Sequence, residues 1–257
     1  MKETTIGFIG GGRVTRIILG GWKRAGRSLA NVVVSDANAA TLEGLKSLHP
    51  EISTGDNRKA AGQSVVFLAV HPPVIAAALA ELRGAIRPDS LVVSLAPKFT
   101  MAKLAEGLGG HRLLARVIPN APSIIGAGYN PMAFAPAAND DAKRSLLELL
   151  APLGESPEVA ESTLEAFALL TGMGPTYLWF QLQTLRELAT SFGLTDADVT
   201  PALKRMVCGA TRTLLESGLS PAEVMDLVPV KPIAEDEPAI KAAYQNRLPA
   251  LFAKIKP

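Results

Sequence analysis

Ile6-Gly7-Phe8-Ile9-Gly10-Gly11-Gly12-Arg13-Val14-Thr15 decides the fold. A β-rich run, Thr5–Ile9, stops at glycines, and Val14–Ala25 follows at once with helical spacing of its apolar residues. The order of strand, Gly10-x-Gly12-x-x-Thr15 and helix suits a dinucleotide. Gly10 permits the tight turn, and Gly12 lets the backbone approach a pyrophosphate whose charge sits on the helix N-terminus. Thr15 replaces the usual third glycine and is still small enough for close packing of helix on strand. Gly10, Gly12, Arg13 and Val14 are therefore candidate cofactor-binding residues. A second β-branched run, Asn31–Ser35, ends at Ser35-Asp36, and Asp36 lies 21 residues after Thr15, where the fingerprint expects an acid for the ribose hydroxyls. Asp36 favours those hydroxyls and repels a 2′-phosphate, whereas Ser35 and Arg13 tolerate one. The expectation is that NADH is accepted and that Asp36→Ala improves use of NADPH.

Outward from this turn the first half alternates. Helical spacing over Ala39–Leu48 is followed by the apolar run Ser64–Val70, a helix over Pro73–Gly84 and a strand at Leu91–Ser94. Thr100–Leu108 then reads as helix and Leu113–Ile118 as strand. Apolar runs buried on both faces and separated by helices predict a parallel, doubly wound Rossmann-type α/β sheet. Gly126–Pro136 reads as a last strand with its loop, and Asp140–Leu150 as a helix N-capped at Asn139 or Asp140. Beyond Glu158 strand signals cease. Ser162–Leu170, Pro175–Phe192, Pro201–Ser217 and Pro221–Val228 show helical periodicity, with N-termini marked at Thr195 and Ser220. The expected division is a dinucleotide-binding domain over 1–158 and an all-α domain over 159–257.

Composition narrows the function. Lys plus Arg number 26 against 24 Asp plus Glu, with no basic cluster along the chain, so nucleic acid is not an expected partner. One cysteine, Cys208, and three scattered histidines argue against a disulfide framework or a metal site. The longest apolar stretches fall short of the about 18 residues that span a bilayer, and the N-terminus reads as strand rather than signal peptide. A soluble, cytoplasmic protein is the expectation.

Several stretches in order resemble the pyrroline-5-carboxylate reductase family. Gly7-Phe8-Ile9-Gly10 with Gly12 is similar to its opening GFIGxG. Leu68-Ala69-Val70-His71-Pro72 resembles its LAVKP, with His71 in place of lysine. Arg116-Val117-Ile118-Pro119-Asn120-Ala121-Pro122 followed by Gly126-Ala127-Gly128 resembles RxMPNTP…GAG. Gly172-Met173-Gly174-Pro175-Thr176-Tyr177 is similar to GSGPAY, and Cys208-Gly209-Ala210 with Leu214–Gly218 to a stretch near GAAxLLxESG. The resemblance implies that Asn57 lies near the adenosine ribose, that Ala69, Val70 and His71 border the cofactor, and that Asn120 faces the nicotinamide. It further implies a helical dimerisation domain, a homodimer, and a substrate pocket involving Met173, Gly174 and Tyr177. The family's TSPGGTT loop, which cradles the substrate carboxylate, is replaced by Pro229-Val230-Lys231-Pro232-Ile233, and Met173 stands for the Ser of GSGPAY. Lys231 is the one side chain of that loop able to meet a carboxylate, although a surface lysine is the commoner case.

The resulting expectation is a reductase of a small cyclic imine acid that uses NADP or NAD, with pyrroline-5-carboxylate to proline, as in proline biosynthesis, as the type reaction. The alternatives are reduction of another imine or carbonyl compound, or nucleotide binding with little catalysis. Trp22, Trp179 and Phe180 read as packing or interface residues, Cys208 as a buried inert thiol, and Glu235-Asp236-Glu237 as a solvated turn.

Overall fold

The computed structural model describes residues 4–257, so the reading of the extreme N-terminus falls partly outside them. The chain divides into two compact units, one formed by 1–173 with 251–257 and the other by 174–250.

The first unit is a seven-stranded sheet. Its strands are β1 (Ile6–Ile9), β2 (Val32–Ser35), β3 (Ser53–Thr54), β4 (Val65–Leu68), β5 (Leu91–Ser94), β6 (Leu114–Val117) and β8 (Met132–Phe134), in the spatial order 3-2-1-4-5-6-8. The first six are parallel and β8 closes the edge antiparallel to β6. This is the expected doubly wound α/β architecture. β7 (Gly128–Tyr129) and β9 (Gly154–Glu155) form a separate two-stranded ribbon.

All four residues of β1, β2, β4, β5 and β6 are buried, as strands covered on both faces must be. Alternate side chains go to opposite sides. Ile6, Phe8, Val32, Val34 and Phe67 join Ile18, Leu19 and Trp22 of α1 (Arg13–Arg24), Leu45 of α2 (Ala39–Leu48) and Leu146, Leu149 and Leu150 of α6 (Asp140–Leu150). Ile9, Val33, Val66, Leu68 and Val92 meet α3 (Asn57–Ala61), α4 (Pro72–Leu82) and α5 (Met101–Gly107). Phe8 stacks on Phe67 at 4.8 Å between ring centres, and Trp22 donates its indole N–H to the Leu149 carbonyl at 2.6 Å. Trp22 is thus a core residue, as read.

The end of strand signals at Glu158 and the edge of the compact unit at Met173 do not coincide. A short helix, α7 (Leu164–Phe167), and the widened turn Ala168–Gly172 remain with the sheet because Leu164 and Ala168 close a small core with Ile118, Ala133 and Ile255. Beneath it Arg116 of β6, fully buried, donates to Glu161 at 3.1 Å and to Glu165 at 2.5 Å.

The second unit is helical. It holds α8 (Pro175–Ser191), α9 (Asp196–Glu216), α10 (Pro221–Asp226) and most of α11 (Glu237–Ile255), whose final residues belong to the first unit. Thr195 and Ser220 form capping boxes with Asp198 and Glu223, as their spacing predicts. Pro201, read as a helix start, instead lies inside α9 as its sixth residue, where it withholds one i→i−4 hydrogen bond from the helix. The acidic run is also reassigned in part, because Glu237 opens α11 and pairs with Lys241 one turn on. Cys208 is exposed rather than buried, since α8 to α11 bury only Val199 fully. Trp179, Phe180, Phe192 and Leu215 are each more than half exposed.

Candidate functional site

The sheet order reverses between β1 and β4, and the carboxyl ends of these strands open a cleft. One half, of about 460 Å³, lies beside Gly10, Gly12, Asp36, Asn57 and Glu81. The other, of about 390 Å³, lies beside Gly12, Arg13, Val14 and Leu95–Pro97. Ala69, Val70 and His71 border both.

Gly10 has φ +106°, and a Cβ there would stand 2.6 Å from the Ala69 carbonyl oxygen, so only glycine fits the turn. A Cβ built on Gly12 meets nothing within 4 Å. Gly12 also caps α1 without any side-chain bond, and the first turn of α1 carries no acid. The leading amides of α1 therefore face the cleft with no acceptor from the helix itself and with the dipole's positive end behind them. Thr15 locks the turn by donating its hydroxyl to the Gly10 carbonyl at 2.6 Å. Open space over Gly12 and unclaimed amides at the positive end of α1 suit a pyrophosphate.

The Asp36 carboxylate accepts from the Gly11 N–H at 2.7 Å and from the Asn38 N–H at 2.8 Å. It therefore builds the turn as well as bordering the cleft. Asp36→Ala strips both amides of their acceptor, so it reports on loop integrity and not on cofactor choice alone, which corrects the simpler expectation. Ser35 is corrected more sharply. It is fully buried, its hydroxyl oxygen 3.2 Å from the Phe8 carbonyl and 2.8 Å from Asn57 Oδ1, and so lies behind the cleft. Asn57 passes the chain of bonds on, donating from Nδ2 to Glu81 Oε2 at 2.7 Å. Asn120 is buried and spends its amide on the fold: Nδ2 donates to the Thr171 carbonyl at 3.2 Å, and Oδ1 accepts from the Tyr129 N–H at 3.1 Å. It is not among the residues lining either half of the cleft.

Residues 5–98 match the family model described as NADP oxidoreductase coenzyme F420-dependent. A pyrroline-5-carboxylate reductase of Corynebacterium melassecola is 28% identical over 225 residues, covering 86% of this chain and 83% of that protein. The crystal structure of a Plasmodium falciparum pyrroline carboxylate reductase with NADP bound superposes with a TM-score of 0.81 at 18% identity, covering 100% of this chain and 98% of the other. A pyrroline-5-carboxylate reductase structure from Coxiella burnetii is 30% identical, covers 98% of this chain and 94% of its own, and has a TM-score of 0.69. The chain belongs to the pyrroline-5-carboxylate reductase family.

The reductase-family motifs fall on separate elements: GFIG on β1, the LAVHP stretch at the junction of β4 and α4, and RVIPN at the end of β6. Gly172–Tyr177 runs from the widened turn into α8. Met173, in the first unit, donates its N–H to the Ala168 carbonyl at 2.9 Å. Gly174 and Tyr177 open the second unit, where the Tyr177 N–H donates to the Gly174 carbonyl at 2.9 Å. The Tyr177 ring meets Tyr244 of α11 edge-on at 5.6 Å, and burial, followed by Tyr244, pushes its hydroxyl above the usual phenol pKa. Lys231 lies exposed in the irregular segment after α10. Glu237 is held below the usual carboxylate range chiefly by its bond to Lys241, with a smaller pull from Lys231.

Sequence reading missed one wall of the cleft. Val74, Ala77, Ala78 and Glu81 line it from α4, at the spacing i, i+3, i+4, i+7 of a single helix face. That stripe was legible once β4 and the glycine turn had been placed.

Proposed function

We propose that this chain reduces a small cyclic imine acid with NADH or NADPH, pyrroline-5-carboxylate to proline being the type reaction. The observation that carries the reading is the glycine-turn cleft, with its open Gly12 and unclaimed α1 amides, in a chain belonging to this reductase family. The family's names for its members supply the substrate class.

The residues of this chain bind and orient. The α1 amides and Gly12 hold the pyrophosphate, and the Asp36–Asn57–Glu81 wall receives the adenosine ribose. Ala69–His71 and Leu95–Pro97 flank the remaining half of the cleft. When bound, the dihydronicotinamide supplies a hydride to the carbon of the C=N bond. A protonated imine is already electrophilic, so the protein's task is mainly positioning and no strong general acid is needed.

The substrate carboxylate is the weak point. Pro229 and Pro232 lack N–H groups, and Val230 and Ile233 offer no side-chain donor, leaving Lys231 and a few amides. This favours a second reading, reduction of an imine or carbonyl compound with a differently placed anion. Steady-state kinetics on pyrroline-5-carboxylate test both. We expect measurable turnover, with kcat/KM below the usual enzyme range of about 10⁴–10⁸ M⁻¹s⁻¹. Lys231→Ala should lower it about tenfold, the worth of one exposed charge-assisted bond. Turnover within that range and indifferent to Lys231→Ala would place the carboxylate elsewhere. No turnover on this substrate, but turnover on other imines, would favour the second reading.

We also propose a homodimer through the helical unit. A unit that buries only Val199 fully while exposing Trp179, Phe180, Phe192 and Leu215 needs a partner to cover that surface. Sedimentation should give a dimer or larger closed assembly at micromolar concentration, and a folded monomer there would refute it. Among the described residues no helix is long and apolar enough to cross a membrane, and a cytoplasmic location follows only from the proposed metabolic role.

A further inference from the structure

The hydrogen-bonded chain Ser35–Asn57–Glu81 has a consequence for which dinucleotide the cleft accepts. Asn57 Oδ1 is taken by the buried Ser35 hydroxyl and Nδ2 by Glu81, so the amide is fixed in one orientation. What this wall presents is the carboxylate of Glu81 on one side and that of Asp36 on the other, both lining the same half of the cleft. His71 is the one residue of that lining able to carry a positive charge. Arg13 lines the opposite half, and Arg58, next to Asn57 on α3, is not among the lining residues.

We infer that Glu81, held by Asn57, makes this enzyme selective for NADH over NADPH. The inference rests on the reductase reading above. Ribose hydroxyls are donors that two carboxylates accept well, whereas a 2′-phosphate brings a charge of about −2 and needs arginine or lysine. Asp36 contributes to the same field but is tied to the Gly11 and Asn38 amides, so its removal disturbs the turn. Glu81 is exposed on α4, and Asn57 is the partner it holds, so its charge can be changed without touching the turn. Glu81→Gln keeps a carbonyl oxygen for Asn57 and removes only the charge.

Calorimetric titration of the full-length protein with NADH and with NADPH reads this directly and does not depend on the substrate. Wild type should bind NADH at least about tenfold more tightly than NADPH. Glu81→Gln should improve NADPH binding about fivefold to tenfold and weaken NADH binding about threefold, because it removes both the charge facing a 2′-phosphate and a charged acceptor for the ribose hydroxyls, so the NADH-to-NADPH preference falls at least about tenfold. Glu81→Lys should reverse the preference. Equal or tighter NADPH binding by wild type would overturn the inference, as would a ratio unmoved by Glu81→Gln, and both leave the reductase reading standing. Failure of wild type to bind either dinucleotide would overturn the reductase reading and the inference with it.

Discussion

Gly12→Val is expected to abolish dinucleotide binding and leave the protein folded. The two halves of that result have separate causes. Gly12 has φ −72° and ψ −158°, an extended conformation open to any residue, and a Cβ there meets nothing within 4 Å. The fold therefore loses only the difference between glycine and valine as an N-cap, about 1 kcal/mol at most, partly offset by the stiffer unfolded chain. For a protein of this size that moves the thermal midpoint by about 2–4 °C. The cleft, by contrast, loses its floor: the isopropyl group occupies the space through which a pyrophosphate reaches the α1 amides. Forfeiting two charge-assisted hydrogen bonds of about 1.5–3 kcal/mol each weakens binding by roughly two to four orders of magnitude. Gly10→Ala supplies the contrast. With φ +106° and the Ala69 carbonyl 2.6 Å from the new Cβ, it should damage folding itself. Calorimetry with NADH and a thermal scan on both variants separate the effects, and unchanged NADH affinity in Gly12→Val would refute the assignment of the turn.

The glycine turn was legible because its chemistry is local: ten consecutive residues carry the strand, the turn and the helix start. The five four-residue parallel strands β1, β2, β4, β5 and β6 were legible because burial on both faces leaves unbroken apolar runs. What escaped was either very short or dependent on distant partners. β3 spans two residues and α3 five, too few for any period to show. α11 escaped because its apolar residues do not gather on one face and because Pro249, ordinarily a stop signal, lies inside it. Asn120 was read as facing a ligand, yet its amide serves Tyr129 and Thr171, the second of which lies 51 residues away. Glu81 was hidden in an apparently featureless helix until the turn and β4 placed its face against the cleft. Sequence thus located the cleft together with Arg13, Asp36 and Asn57 along it, but not Glu81 or the bonds that tie these side chains to the turn and to one another.

Arg116 shows the same limit and supports the second large effect. Its partners Glu161 and Glu165 lie 45 and 49 residues downstream, so nothing near Arg116 announces them. The guanidinium is fully buried, its Nε has no partner among the described residues, and Glu165 is itself fully buried. Glu165 Oε1 also accepts from the Lys98 N–H at 3.0 Å. Lys98 has φ 78°, a left-handed conformation costly for lysine, and it follows directly on the Leu95–Pro97 rim of the cleft. Glu165→Ala therefore leaves a buried cation on one partially exposed carboxylate and frees the strained residue that anchors the rim. Breaking a buried pair in this way costs about 3–5 kcal/mol, which should lower the thermal midpoint by about 6–20 °C. Glu161→Ala should cost less, because Glu161 retains contact with solvent and leaves the buried partner in place. Replacing Arg116 and Glu165 together by methionine should recover much of the loss, since the penalty comes from the orphaned charge. NADH affinity measured well below the lowered midpoint should also fall in Glu165→Ala, because the rim is no longer fastened. A midpoint within about 2 °C of wild type, with unchanged affinity, would mean that water reaches Arg116 and that the pair carries neither stability nor the shape of the cleft.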